Sequence, residues 1–305
     1  MKEAMFWEPL EGTTVKCNLC HHRCRIADGQ RGICRVRENQ GGKLQTLVYG
    51  RATAMAVDPI EKKPLYHFLP GSDSFSIATK GCNFRCLHCQ NCDISQPSPD
   101  TDFAEDSLLE PAQAVRMAHA RRCRSISYTY TEPTVFFEYA YDTARIARDN
   151  GLKNVFVTNG YITPEALRTI QPYLDAANID LKAAGEEKHR KLCGAKLQPV
   201  LDMIKLYHEL GIWIEITTLV ITGWNDSTDE LHEIASFIAA VGQEIPWHVT
   251  RFSPAYRMTD VPSTPRETLE KAYGIGKKAG LKYVYIGNML HSVAGKTVCP
   301  SCGSA

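Results

Sequence analysis

From Phe75 onward, short flat apolar runs alternate with longer amphipathic stretches, an alternation that restricts the chain to β-α units around a parallel sheet. The strand candidates are FSIAT from Phe75, SISYTY from Ser125, NVFVT from Asn154, AANIDL from Ala176, WIEITTLVI from Trp213, HVTRF from His248 and YVYIG from Tyr283. Each is short and largely apolar, as expected of strands buried on both faces. Helical periodicity covers residues 111–122, 134–149, 163–170, 200–210, 227–241 and 265–279, with Asn150-Gly151 and Gly211 following two of the helices and Gly242 and Gly280 placed as left-handed C′ residues. Six or seven such units make a barrel, whose chemistry belongs on the loops at the C-terminal ends of the strands.

A chain of 305 residues, 44% of them hydrophobic, can bury one large core. Lys plus Arg at 35 against Asp plus Glu at 34 leaves a net charge of +1, too little to attract nucleic acid or an anionic membrane. The first residues lack a basic-then-apolar signal and no apolar run approaches the roughly 20 residues of a membrane span, so a cytoplasmic protein is expected. In that reducing compartment, twelve cysteines point to metals and catalysis more than to disulfides. They fall into Cys17, Cys20, Cys24 and Cys34; Cys82, Cys86 and Cys89; and Cys299 with Cys302, leaving Cys92, Cys123 and Cys193 apart. The expected organisation is a Cys-rich N-terminal module and connector over 1–70, the barrel over 71–290 and a short CxxC tail over 291–305.

The loop after the first strand places Cys82, Cys86 and Cys89 within eight residues. Three soft thiolates suit a 4Fe-4S cluster whose fourth iron stays open to a chelating ligand. A zinc site completed by a distant cysteine or by His88 is the alternative, and Cys92 is a possible fourth ligand. The N-terminal tetrad offers four thiolates in eighteen residues, enough for a closed structural zinc site substituting for a core, or for an auxiliary iron-sulfur cluster. Cys299 and Cys302 form half a zinc knuckle or an unmetallated tail.

A CxxxCxxC directly after the first strand of a β-α series resembles the radical S-adenosylmethionine (SAM) superfamily, over residues 75 to 290. The resemblance implies a partial (β/α)6 barrel and a cluster that chelates SAM through its amino and carboxylate groups. It also implies reductive cleavage of SAM to a 5′-deoxyadenosyl radical that abstracts hydrogen from substrate. His88 stands where the family carries an aromatic residue near the adenine. Tyr130-Thr131-Glu132-Pro133 resembles the motif that receives the SAM ammonium, although Glu132 could be only a helix-start residue. Val157-Thr158-Asn159-Gly160 and Asn178-Ile179-Asp180-Leu181-Lys182 are similar to segments of glycyl-radical-enzyme activating enzymes, with Val157 replacing an aspartate of a cation site. Alternation along a strand sends Asp180 and Lys182 to one face, to meet a zwitterionic ligand or to pair with each other. Thr222-Gly223-Trp224-Asn225-Asp226 followed by His232 resembles a further activase segment, making His232 a cofactor candidate or a partly buried helix residue. His248, Thr250 and Phe252 share a face, for a substrate pocket or for the core.

The fuller resemblance is to the AmmeMemoRadiSam group, carried by Cys17-Asn-Leu-Cys20-His-His-Arg-Cys24 with Cys34, by Asp58-Pro-Ile-Glu-Lys-Lys-Pro-Leu-Tyr-His-Phe68, and by Gln90-Asn91 and Ile94-Ser-Gln96. It implies two partner proteins, Memo and Ammecr, and a reductant such as flavodoxin or ferredoxin. A glycyl-radical-enzyme activating enzyme is the second reading, without the ferredoxin-like insertion many of those carry. A non-catalytic metal sensor is the third, and has no need of Glu132, Asp180 or Lys182. Lys62 and Lys63 are expected in a charged loop, solvated or facing a partner.

Overall fold

The computed structural model describes residues 1–289 and 297–304, so residues 291–296 and 305 of the expected tail lie outside the described residues. Its centre is an eight-stranded sheet. The strands are β1 (Ala54–Pro59), β2 (Asp73–Ala78), β3 (Ser125–Tyr128), β4 (Lys153–Thr158), β5 (Ala176–Asp180), β6 (Trp213–Val220), β7 (Trp247–Arg251) and β8 (Val284–Gly287). Spatial order follows chain order, with β2 to β8 parallel and β1 antiparallel at one edge. Each parallel crossover carries a helix: α1 (Pro111–Ala120), α2 (Phe137–Asp149), α3 (Pro164–Ile170), α4 (Glu186–Cys193) and α5 (Gln198–Glu209) in one crossover, α6 (Thr228–Val241) and α7 (Arg266–Lys278). Six strand-helix units followed by β8 make the expected partial barrel, open between β1 and β8.

Every expected strand is present, because each is a run whose side chains are buried on both faces, as in β3, where all four residues are buried. Helix α4 had no sequence signal, since its residues are mostly charged and only His189, Leu192 and Cys193 are buried. Gly242 departs from the left-handed expectation with φ −174°, an extended conformation.

Residues 60–68, after β1, plug the open barrel from below. The Asn178 side chain donates to Pro64 O at 2.9 Å, and the backbone N–H groups of Tyr66 and His67 donate to the buried Glu215 carboxylate at 3.0 and 2.8 Å. His248 completes this floor, its Nε2 2.7 Å from Glu215 and its ring stacked on Tyr285. His248 and Phe252 are therefore core residues, and only Thr250 of that face reaches the cavity above.

The first fifty residues form two small antiparallel sheets, Lys2–Glu3 with Lys43–Thr46 and Arg37–Gln40, and Trp7–Pro9 with Val15–Cys17 and Arg25–Ile26. The module has few apolar residues, but Val15, Ile26, Val36 and Leu44 are buried in one continuous core with Phe84, Phe137 and Ile162 of the barrel. A buried ion pair fastens it further: Arg37 Nη2 lies 2.5 Å from Glu138 of α2, and that carboxylate also accepts from Met5 N at 2.6 Å.

Candidate functional site

A cavity of about 360 Å³ opens at the C-terminal ends of the parallel strands. Cys82, Cys86, His88 and Cys89 line it from the loop after β2, Thr131 and Glu132 from β3, and Thr158 and Asn159 from β4. Asp180 and Lys182 follow β5, Thr217 and Leu219 lie on β6, and Thr250 on β7. Six strand ends thus line one cavity, which gathers most of the residues singled out by sequence.

The thiol loop is held by backbone contacts. Gly81 has φ +102°, and a Cβ there would lie 2.5 Å from Val36 of the N-terminal module, so only glycine fits. Phe84 N donates to Cys82 Sγ at 3.3 Å, and Arg85 N and Leu87 N donate to the carbonyls of Cys193 and Leu192 at the end of α4. This docking brings the Cys193 thiol into hydrogen-bond contact with Cys86, which lowers the Cys86 pKa. Cys193 was not singled out from sequence, because a contact between positions 86 and 193 leaves no local signal. Burial, with Glu132 adding to it, pushes the Cys82 thiol well up, and burial raises Cys89. Cys92 opens a short helix and does not line the cavity.

Glu132 is buried and doubly employed. Its Oε1 accepts from Thr134 N at 3.0 Å, Thr134 Oγ1 at 2.6 Å and Thr158 Oγ1 at 2.7 Å, while Oε2 accepts, among the described residues, only from Asn159 N at 2.8 Å. One oxygen organises the loops and the other keeps acceptor capacity. Burial raises the pKa of this carboxyl. Asn159 Nδ2 in turn donates to Asn83 Oδ1 at 2.7 Å, steadying the thiol loop, and Thr131 Oγ1 donates to Thr79 O at 2.8 Å.

Asp180 and Lys182 share the predicted face and pair at 2.8 Å. Burial opposes the ammonium, but Asp180 and the thiols of Cys86 and Cys193 hold the Lys182 pKa above the ordinary lysine range. Asn225 supports the pair from behind, donating to Lys182 O at 2.8 Å and accepting from Ile221 N at 2.6 Å. At the rim, Lys63 is buried on Asp58 at 2.7 Å, and Tyr130 donates to the same carboxylate at 2.5 Å. Lys62 is the exposed member of the expected charged loop. His232 is a correction: it lies on the exposed face of α6, its Nδ1 3.4 Å from Ser236 Oγ, and does not line the cavity.

The N-terminal Cys17, Cys20, Cys24 and Cys34 converge on a separate cavity of about 20 Å³. Cys299 and Cys302 sit in a tight terminal turn closed by Gly303 N on Cys299 O at 2.9 Å. Among the described residues no three His, Cys, Asp or Glu side chains form a ready shell for one metal ion.

The sequence profile of the radical SAM superfamily matches residues 76–238. The chain belongs to the radical SAM superfamily. Radical SAM proteins are enzymes that bind a 4Fe-4S cluster and SAM and take electrons from a reductant such as flavodoxin. An uncharacterized protein of Methanocaldococcus jannaschii is 48% identical over 305 residues, 100% of this chain and 90% of its own length. The pyruvate formate-lyase 1-activating enzyme of Escherichia coli K12 is 22% identical over 219 residues, 68% of this chain and 89% of its own. The chain is also similar in fold to Streptococcus suis SuiB bound to S-adenosylmethionine, with a TM-score of 0.54 at 14% identity, covering 69% of this chain and 48% of that one. No helix among the described residues is long and apolar enough to cross a membrane.

The residues present fit both groups. Three thiols face the cavity, and His88 Nδ1 and Thr217 Oγ1 at its wall are buried without a hydrogen-bond partner among the described residues, as expected where a polar ligand completes the site. Burial and Lys182 hold the His88 pKa down to about 3, so its ring meets a ligand neutral.

Proposed function

We propose that Cys82, Cys86 and Cys89 hold the 4Fe-4S cluster and that Glu132, Asp180 and Lys182 orient SAM beside it. The observation that carries this reading is the convergence of three thiols, a half-satisfied buried carboxylate and an acid-ammonium pair on one cavity. When bound, the cluster and SAM supply reductive cleavage to a 5′-deoxyadenosyl radical that takes hydrogen from the substrate. In this reading Glu132 Oε2 accepts from the SAM ammonium, while Lys182 and Asp180 address its carboxylate and ribose. Asn159 and Thr131 keep the surrounding loops in place, and neutral His88 packs beside the adenine.

We further infer that the substrate is a small molecule or protein target handled together with Memo and Ammecr partners. The support is the AmmeMemoRadiSam-like segments of the sequence, one of which, residues 58–68, runs from β1 into the barrel plug and the Lys63 rim. The E. coli activase aligns over only 68% of the chain, leaving about a third of it without a counterpart in that alignment. Activation of a glycyl-radical enzyme is the second reading, favoured by that same similarity. The experiment is to mix reduced, reconstituted enzyme with SAM and deuterium-labelled candidate substrates or the partner proteins, and follow deoxyadenosine by mass spectrometry. Deuterium in deoxyadenosine with a partner-derived substrate supports the first reading, and transfer from a glycine of a glycyl-radical enzyme supports the second. SAM left uncleaved under strong reduction would remove both.

A further inference from the structure

The N-terminal module holds four thiols for which the barrel chemistry has no use. Cys17, Cys20, Cys24 and Cys34 line one cavity of about 20 Å³, together with apolar residues such as Leu19 and Ile26 and with His22, Arg37, Asn83 and Thr134. That is room for about one water-sized particle. The backbone N–H groups of His22 and Val36 donate to the sulfurs of Cys20 and Cys34, each two residues back, the same turn by which Phe84 N reaches Cys82 Sγ. Arg23 and Arg35, at φ +48° and +64°, take the left-handed conformation within the two loops that carry these cysteines.

An independent observation comes from Arg37, which lines the same cavity and is 1% exposed. Its Nη2 serves Glu138 and Met5 O, but Nε and Nη1 have no hydrogen-bond partner among the described residues. A buried donor left unpaired costs about 1–3 kcal/mol, more on a charged group, so two of them beside four sulfurs call for negative charge in the cavity.

We propose that Cys17, Cys20, Cys24 and Cys34 bind a metal centre as four thiolates, whose sulfurs accept the free N–H groups of Arg37. A zinc(II) ion and an oxidised 4Fe-4S core, each with four thiolates, are both dianions and both answer that need. The small cavity favours the single ion, with the cysteine side chains rotating about their Cα–Cβ bonds to close the shell. The centre also stands behind the catalytic loop. Cys34 O and Val36 pack on Gly81, Arg85 donates to Ile33 O, and His22 Nε2 lies 2.7 Å from Asn83 O. Its loss therefore loosens residues 81–85 as well as the module.

The test uses the full chain carrying Cys82→Ala, Cys86→Ala, Cys89→Ala, Cys299→Ala and Cys302→Ala, purified anaerobically and analysed for zinc, iron and sulfide. About one zinc per chain, or about four irons with matching sulfide, supports the proposal and tells the two centres apart. A folded variant holding neither overturns it. Should that variant fail to fold, the wild-type count decides: zinc beyond the catalytic irons, or about eight irons, supports the proposal, and about four irons with no zinc overturns it. In the wild-type background, Cys20→Ser with Cys24→Ser should release that metal and raise amide exchange at Arg85 and Leu87 at least tenfold. Release of the metal with unchanged exchange would overturn the coupling to the catalytic loop.

Discussion

The chain gathers thiols twice, and the two gatherings differ in what surrounds them. At the barrel mouth, three thiols face about 360 Å³ of cavity shared with a carboxylate, an ammonium and unpartnered polar atoms. In the N-terminal module, four thiols line about 20 Å³ among mostly apolar surroundings, with the buried Arg37. The first arrangement leaves space for a ligand on the metal group; the second leaves none. An open site is suited to chemistry and a closed one to structure, so the same residue type serves different ends according to the room beside it.

The sharpest way to break this contrast is at the mouth. Replacing Cys82, Cys86 and Cys89 together by alanine should abolish the catalytic cluster and reduce SAM cleavage to background, with the melting temperature little changed because the loop is held by backbone bonds to α4. Retention of the cluster's absorption and of SAM cleavage would show that the open site lies elsewhere. The next effect belongs to the closed side. Glu138→Gln removes one of the two counter-charges that the proposed metal centre and the carboxylate together give the buried Arg37 guanidinium, and arginine cannot shed its proton, so about 1.5–3 kcal/mol of stability should be lost in denaturant unfolding. A loss under about 1 kcal/mol would mean that Arg37 is balanced by something other than Glu138.

The mouth was far more legible in the sequence than its supports. Strand runs and residues following them, such as Glu132 and Asp180, announce themselves locally, since period and position place them at one end of a parallel sheet. The supports act across long separations: Glu215 receives the N–H groups of Tyr66 and His67, and Cys193 meets Cys86, with nothing in either neighbourhood to say so. Residues 60–68 read as a charged connector because their role is filled by backbone donors, which have no side-chain signature. The N-terminal module looked too poor in apolar residues to pack, and it does not pack alone; it borrows the barrel's core.

A third test, smaller in effect, separates ligand binding from barrel support. Lys182→Met should weaken SAM binding by about tenfold to a hundredfold, the cost of roughly 1.5–3 kcal/mol for a charge-assisted hydrogen bond, in calorimetric titration of the reconstituted enzyme. Unchanged affinity would reduce Lys182 to a partner of Asp180. Glu132→Gln is the less clean probe, since Oε1 also holds Thr134 and Thr158.

A fourth concerns pH. Burial works against the Asp58 carboxylate, yet Lys63 and Tyr130 hold its pKa well below the usual value. A depressed carboxylate contributes stability above its unfolded pKa of about 3.9 and loses it as pH falls through the folded value. Asp58→Asn should therefore cost about 1–3 kcal/mol at pH 7, moderated because Lys63 can lose its proton, and the variant's unfolding should be less sensitive to acid below about pH 4 than the wild type's. Equal acid sensitivity would leave Asp58 without this role.

The smallest expected effect is at His232, where the resemblance to activating enzymes and the geometry disagree. The buried stripe of α6 runs through Leu231, Ile234, Ala235 and Ile238, spacings of three and four that define one helix face. His232 follows Leu231 by one residue, which turns it about 100° from that line and leaves it exposed. Reaching the cavity would require α6 to rotate and surrender those apolar contacts, at about 1.5–3 kcal/mol for each large side chain drawn into water. His232→Ala should accordingly change SAM affinity less than about twofold and stability by less than about 0.5 kcal/mol. A tenfold loss of affinity without loss of folding would mean that SAM draws this helix inward, and the open mouth would then be a site that closes on its ligand.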